Sequence, residues 1–220
     1  MRTLRTDLKE AVDHLPEAAV LTIDPFAWDD YEQLLEEMED HPGVRITYDR
    51  GRLEIVTTSH QHEDWKEFIL GLVRILCEEL HLDLQSYGGT TQKRKRDLRG
   101  TEPDTCFYVA NAKRVIGKKE FDILSPPPDV VVEVDKSNQS LHKFPIYATF
   151  GVPEIWLCDV RHTRIVMYEL RAGSYVEIPS SRSFPILTGS VLINFIKQSR
   201  DHGQMAALAA FREWTKPRKV

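Results

Sequence analysis

Residues 130–135 read VVVEVD. Four valines in six positions leave neither face of a strand polar, and a strand apolar on both sides belongs in the middle of a sheet, with layers packed against both faces. One residue breaks the pattern. Glu133 stands between valines, and an ionised carboxylate inside a buried strand costs several kcal/mol unless something compensates it. What that compensation is decides how the chain is read.

The flanking sequence predicts elements that can cover such a strand. Helices are expected over 5–15 and 26–40, the second with Asp24 as N-cap, Pro25 at its first position and Pro42-Gly43 as its stop. VRITYDRGRLEIVTT (44–58) reads as a hairpin with Asp49-Arg50-Gly51 in the turn. Beyond Ser59, a capping candidate, Trp65, Phe68, Ile69, Leu72, Val73, Leu76 and Leu80 recur at helical spacing. LDLQSYGGTT (82–91) reads as a strand broken by Gly88-Gly89, QKRKRDLRG (92–100) as a polar, basic turn, and TCFYVAN (105–111) as a strand. A loop over 112–128 leads into the valine strand. A short helix follows, with Ser137 or Asn138 as cap or a start near Lys143, Pro145 in its first turn and Gly151 as its stop. Strands at 153–160, 164–170 and in SYVEIP, an Ala-rich helix over 204–214 and a basic tail complete the chain. The order implies a mixed sheet flanked by helices, an α/β class. The expected division is an acidic helical extension over 1–40, the sheet domain over 41–197, and a C-terminal helix and tail over 198–220.

Composition narrows the function classes. The chain has 220 residues, 41% of them hydrophobic and 29% charged, enough apolar material for a full core. Its apolar runs are too short for a bilayer, and its charged start lacks a signal-peptide core, so no membrane partner and a cytoplasmic location are expected. Cys77, Cys106 and Cys158 form no CxxC pair, which argues against a zinc site or a disulfide framework. The net charge is −5, with eight acids and no Lys or Arg in residues 21–40. That balance does not suggest a protein that coats nucleic acid by charge alone and leaves room for a modest local basic surface.

Asp104 heads the strand in TEPDTCFYVAN, and Glu133 lies 29 positions on. Period-2 alternation puts Glu133 and Asp135 on one face. Two neighbouring strands that present Asp and Glu to one spot suit a hard cation such as Mg²⁺, which takes carboxylate oxygens and keeps several waters. Taken singly, Asp104 is also a turn-forming Pro-Asp, and Glu133 also an edge residue or half of an ion pair. Together they describe a phosphodiesterase metal site.

The stretches EPDTCFYV, PPDVVVEVDKSNQS and KFPIYATFGVPEIWLCDV, with GRLEIV, SHQHE and GGTT upstream, resemble the restriction-endonuclease domain family common in bacteria. That family belongs to the PD-(D/E)XK nuclease superfamily. The resemblance spans roughly residues 40–195 and implies a restriction-endonuclease-like fold, Mg²⁺ or Mn²⁺ as cofactor, DNA as substrate, and Asp104 and Glu133 as the metal-binding acids. The superfamily places a Lys two positions after the Glu, where this chain has Asp135. Lys143, on the following short helix, is ranked ahead of Lys136 as its replacement, with Asp135 as a third ligand. Glu54, His62 and Gln92 are accessory candidates, each with an alternative as a solvated strand residue, a core histidine and a turn residue. Lys93, Arg94, Lys95 and Arg96 form a basic cluster suited to phosphate contacts, and Lys113, Arg114, Lys118 and Lys119 extend it. A homodimer suits an enzyme that cuts both strands. Two rivals remain open: a catalytically inactive DNA-binding module on the same fold, and an interaction protein whose acidic 21–40 helix docks a basic partner.

Overall fold

The computed structural model describes residues 2–39, 41, 43–118, 125–135 and 142–216. It divides into two units, each with its own sheet. Residues up to His60, with Thr91–Glu102, make the first; Gln61–Thr90 and the chain from Pro103 onward make the second.

The first unit contains helix α1 (Arg2–Asp13), strand β1 (Val20–Ile23), helix α2 (Trp28–Glu37) and the hairpin β2 (Val44–Asp49) and β3 (Arg52–Thr57). Asp49 pairs with Arg52, so Arg50 and Gly51 form the two-residue turn. Both have positive φ, 51° and 101°, as the hairpin turn that matches strand twist requires. Helix α3 (His60–Glu79) and the short β4 (Gln85–Ser86) follow in sequence and belong to the second unit, α3 starting at the boundary. The chain then returns to the first unit as β5 (Gln92–Arg94), a single 3₁₀ turn at Lys95–Asp97, and β6 (Arg99–Thr101).

Three expectations change here. The basic stretch expected as a turn contains two strands, because β6 finds a partner in β2, with Thr47 opposite Thr101. Pairing supplied from elsewhere in the chain outweighs weak local preference. Strand β1 was not expected; it adds to the free edge of β3, giving the order β1-β3-β2-β6-β5. Helix α2 starts at Trp28, with Ala27 rather than Asp24 at its cap. Phe26 is held by the hairpin instead, its N–H donating to the Gly51 carbonyl at 2.7 Å and its carbonyl accepting the Tyr48 hydroxyl at 2.9 Å. Of the expected helix stop, Pro42 lies outside the described residues. The unit's core holds Val12, Trp28, Tyr31, Leu34, Ile46, Tyr48, Leu53 and Ile55. Tyr31 stacks on Tyr48 with centroids 4.9 Å apart. Gly100 on β6 leaves room for that ring: a Cβ there would lie 2.1 Å from the Tyr31 hydroxyl.

The second unit is built on β7 (Thr105–Tyr108), β8 (Val130–Asp135), β9 (Glu154–Asp159), β10 (Arg164–Arg171) and β11 (Ser174–Ile178), in the order β11-β10-β9-β8-β7-β4. The β8–β9 pair is parallel and the other pairs are antiparallel, so the sheet is mixed. Helices α4 (Ala112–Val115), α5 (Phe144–Phe150), α6 (Gly189–His202) and α7 (Gln204–Thr215) complete it. The valine strand lies inside the sheet and is covered on both faces, as its composition predicts. Val130, Val132 and Val134 pack with Trp65, Phe68 and Leu72 of α3 and with Phe195 and Phe211 of α6 and α7. Val131 packs on the opposite face with Ile146, Tyr147 and Phe150 of α5 and Val115 of α4.

Helix α5 begins with Pro145 in its first turn and ends at Gly151, φ 79°, as expected. The expected strand over 82–91 contracts to Gln85–Ser86. Helix α6 was not expected. Thr188 caps it by accepting the Val191 N–H at 3.2 Å, and Gly189 meets β10 so closely that a Cβ would lie 1.9 Å from the Ile165 carbonyl oxygen. Cys77, Cys106 and Cys158 are free and buried, as expected. Among the described residues no helix is long and apolar enough to cross a membrane.

Candidate active site

The site forms where β7 and β8 lose their regular pairing. Their register ends with Thr105 opposite Val132. One further step puts Asp104 opposite Glu133, and Pro103 has no N–H with which to extend the ladder. The Asp104 side chain takes over: its Oδ2 accepts the Val134 N–H at 2.6 Å. Asp104 is buried, and Glu133 has no exposed surface at all.

Glu133 is compensated from α5. Lys143 Nζ lies 2.9 Å from Glu133 Oε2, and the Tyr147 hydroxyl donates to Glu133 Oε1. Lys143 and Tyr147 are four residues apart, so one helical turn aims both at one carboxylate. Lys143 is 5% exposed, and Tyr147 is fully buried. Burial pushes the Glu133 carboxyl above its ordinary range. The Lys143 charge opposes that shift, the Asp104 charge reinforces it, and the hydrogen bonds from Tyr147 and Lys143 oppose it. The Asp104 effect means that the two carboxylates feel one another.

Other buried acids serve the fold. Asp129, at the head of the valine strand, accepts the Val109 and Asn111 N–H groups at 2.7 and 3.0 Å and the Asn111 side-chain amide at 2.7 Å. Glu154 accepts the Trp156 indole at 2.6 Å and the Ser183 N–H at 2.9 Å. Asp135 lies on the Glu133 face, buried, and pairs across the parallel strands with Asp159. Asp159 accepts the His162 N–H at 3.0 Å and lies 2.7 Å from His162 Nδ1. Burial raises the Asp159 carboxyl, but the His162 hydrogen bonds and the His162 and Arg164 charges outweigh it and hold the group below its usual range.

The donor set decides which cation could sit here. Asp104 and Glu133 present hard carboxylate oxygens on opposed residues, which suits Mg²⁺ or Mn²⁺ and not a thiophilic metal. Among the described residues no group of three or more His, Cys, Asp or Glu is arranged around one metal position, so Asp135 does not complete a three-acid cluster. A cation held by this pair would fill its shell with water or phosphate oxygen.

The remaining candidates lie on other elements. His62 is buried in the first turn of α3, in the second unit. Glu54, on β3 opposite Thr22 and Thr47, and Gln92, on β5 opposite Thr101, belong to the first unit. Lys136, Lys119, Ser137, Asn138 and residues 217–220 lie outside the described residues. The basic run is already matched by acids. Lys93 lies 3.3 Å from Glu32, Lys95 lies 3.1 Å from Asp29 and 3.6 Å from Glu32, and Arg94 and Arg96 lie 3.3 and 3.7 Å from Asp97. The acidic helix expected to seek a basic partner thus meets one in its own chain. The expected loop over 112–128 opens with α4, where Lys113 pairs with Asp83 at 3.3 Å and Arg114 bonds Asn111 at 3.0 Å; beyond it Lys118 bonds Ser125 at 3.2 Å. Two residues near the acids had escaped notice, Tyr147 and Asp159. The four-residue step from Lys143 was the available signal for Tyr147; for Asp159 there was none beyond its place at a strand end.

A mixed sheet covered by helices, with a carboxylate pair where two strands part, is the fold class of nuclease-like α/β proteins. The crystal structure of "a putative nuclease belonging to DUF820" from Anabaena variabilis has this fold: it is similar over 78% of this chain and 99% of its own, with a TM-score of 0.53 and 16% identity. No curated protein matches the chain. Residues 28–195 match the Uma2 family, described as "Putative restriction endonuclease". The chain belongs to that family.

Proposed function

We propose that this protein is a divalent-cation-dependent endonuclease that hydrolyses DNA phosphodiester bonds, with Asp104 and Glu133 as the acids that hold Mg²⁺ or Mn²⁺. Bound there, the ion would lower the pKa of a coordinated water and offset charge on the phosphate. The carrying observation is a fully buried Glu133 opposite Asp104, with Lys143 and Tyr147 both directed at it. Such an assembly is expensive to bury and serves no core-packing need. Lys143 assumes the position-135 lysine's part from α5: it supplies positive charge where negative charge gathers on the transferring phosphate. Tyr147 fixes the rotamer of Glu133.

Cleavage of both strands takes two such sites, and a homodimer is the assembly we infer. Three free, buried thiols suit the reducing cytoplasm of a bacterium. A non-cleaving DNA-binding module is the second reading, favoured by Asp135 where the superfamily has its lysine. Supercoiled plasmid incubated with Mg²⁺ or Mn²⁺ separates the two. Wild-type protein is expected to nick and linearise it, and Asp104→Ala and Glu133→Gln to lose that activity. Cutting that survives both substitutions removes this site; retarded but uncut plasmid supports the second reading.

A further inference from the structure

We propose that the turn between β9 and β10, Arg161-His162-Thr163-Arg164, is the surface that grips backbone phosphates of duplex DNA beside the carboxylate pair; this rests on the nuclease reading for the identity of the polymer. It lies in the same unit as the acids and at the end of the same strands. Strands β8 and β9 run parallel, with Glu133 opposite Leu157 and Asp135 opposite Asp159, so both end at one edge. The Val160 N–H donates to the Asp135 carbonyl at 2.9 Å, which ties the start of the turn to the end of β8. Two residues of strand span about 7 Å and a neighbouring strand lies about 5 Å away, which puts the turn within roughly 10 Å of Glu133. A phosphate held at Glu133 therefore has neighbours on the same DNA strand within reach of the turn. Arg164 pairs with Asp159, which pairs with Asp135, so all three share the face that carries Glu133.

The turn is held in shape and its cations point outward. Asp159 anchors it through the His162 N–H and ring, at 3.0 and 2.7 Å, and Arg164 lies 3.6 Å from the same carboxylate. The side chains of His162 and Arg164 nonetheless remain 66% and 62% exposed. Arg161 is exposed and makes no ion pair or hydrogen bond with any described residue. Arg161 is what distinguishes the turn from QKRKR: Lys95 and Arg96 are as exposed as Arg164, but all four cations of that run lie against acids. An exposed arginine on an ordered turn can grip phosphate in a bidentate fork without first giving up an internal partner.

The test is fluorescence anisotropy of a labelled duplex with the full chain in EDTA, titrated over salt. Each phosphate contact contributes about 0.9 to the slope of log affinity against log salt. Arg161→Ala/Arg164→Ala is expected to reduce that slope by about 1 to 2, and Lys93→Ala/Lys95→Ala to leave it unchanged. Arg161→Glu, at a position with nothing to lose in folding, is expected to weaken binding at low salt and to converge with wild type at high salt. An unchanged slope in the turn variant, a loss confined to the lysine variant, or no wild-type binding overturns the proposal. The nuclease reading fails separately: a reduced slope with uncut plasmid removes the enzyme and keeps the surface, and cut plasmid with an unchanged slope does the reverse.

Discussion

Removing one oxygen from Tyr147 should make the stability of this protein more sensitive to pH. In the folded chain the Glu133 carboxyl titrates above its ordinary range. Between the ordinary Glu value and that raised one, the native state keeps a proton that the unfolded chain has released, so stability falls as pH rises through the window. The Tyr147 hydroxyl donates to Glu133 and favours the charged form. Tyr147→Phe leaves the ring and its packing, deletes that donor, and moves the folded value higher still. A hydrogen bond to a charged group contributes about 1.5–3 kcal/mol, and one to a neutral group about 1. The variant should therefore lose about 1 kcal/mol at acid pH, where Glu133 is protonated in both states, and about 2–3 kcal/mol at neutral pH. In a chain of this size that is a Tm deficit growing from about 2–4 °C to about 5–10 °C. Thermal unfolding across the acid-to-neutral range reads it directly. In a Glu133→Gln background the same substitution should cost an amount that does not change with pH. A Tyr147→Phe deficit that is flat with pH would refute the coupling between this hydroxyl and the carboxylate.

Lys143→Ala leaves Glu133 with its burial penalty and without its cation, and should cost about 3–5 kcal/mol at neutral pH, less as pH falls. A loss below about 1 kcal/mol in chemical denaturation, the value for an exposed pair, would contradict the buried geometry. Gly100→Ala drives a methyl group into the Tyr31 hydroxyl, 2.1 Å away, and should cost about 1–3 kcal/mol in the same assay. Tyr31→Phe removes the hydroxyl but leaves ring carbons 2.7 and 2.9 Å away, so it should rescue only part of that loss.

What could be read from the sequence was whatever broke a local rule. Glu133 interrupts a valine strand, Asp104 follows a proline at a strand head, and Lys143 starts a helix whose Pro145 allows few other registers. Each is anomalous within its own neighbourhood, so each was visible before any fold was known. Tyr147 was not: an aromatic in a short helix looks like core, and it is core on its ring and polar only at its tip. Strands β1, β5 and β6 were hidden for a related reason. Their stability comes from partners distant in sequence, Val56 for Val20 and Thr101 for Gln92; the composition of β5 and β6 does little to announce a strand, whereas VLTI of β1 favours one and is only short.

Charge was harder to read than polarity, because a run of like charges does not say whether its counter-charges are elsewhere in the chain. The most basic stretch, Lys93 to Arg96, finds them on α2 and at Asp97, while in the turn with only two arginines Arg164 finds Asp159 and Arg161 pairs with no described residue. Exposed pairs such as Lys95–Asp29 are worth less than about 1 kcal/mol, so DNA could in principle displace them. It would gain a phosphate contact and lose an ion pair each time, a near-balanced exchange that adds little affinity. Arg161 has no such exchange to make. If nucleic acid is what this protein holds, cations with no internal partner set its affinity, and their number near the carboxylate pair matters more than the length of any basic run.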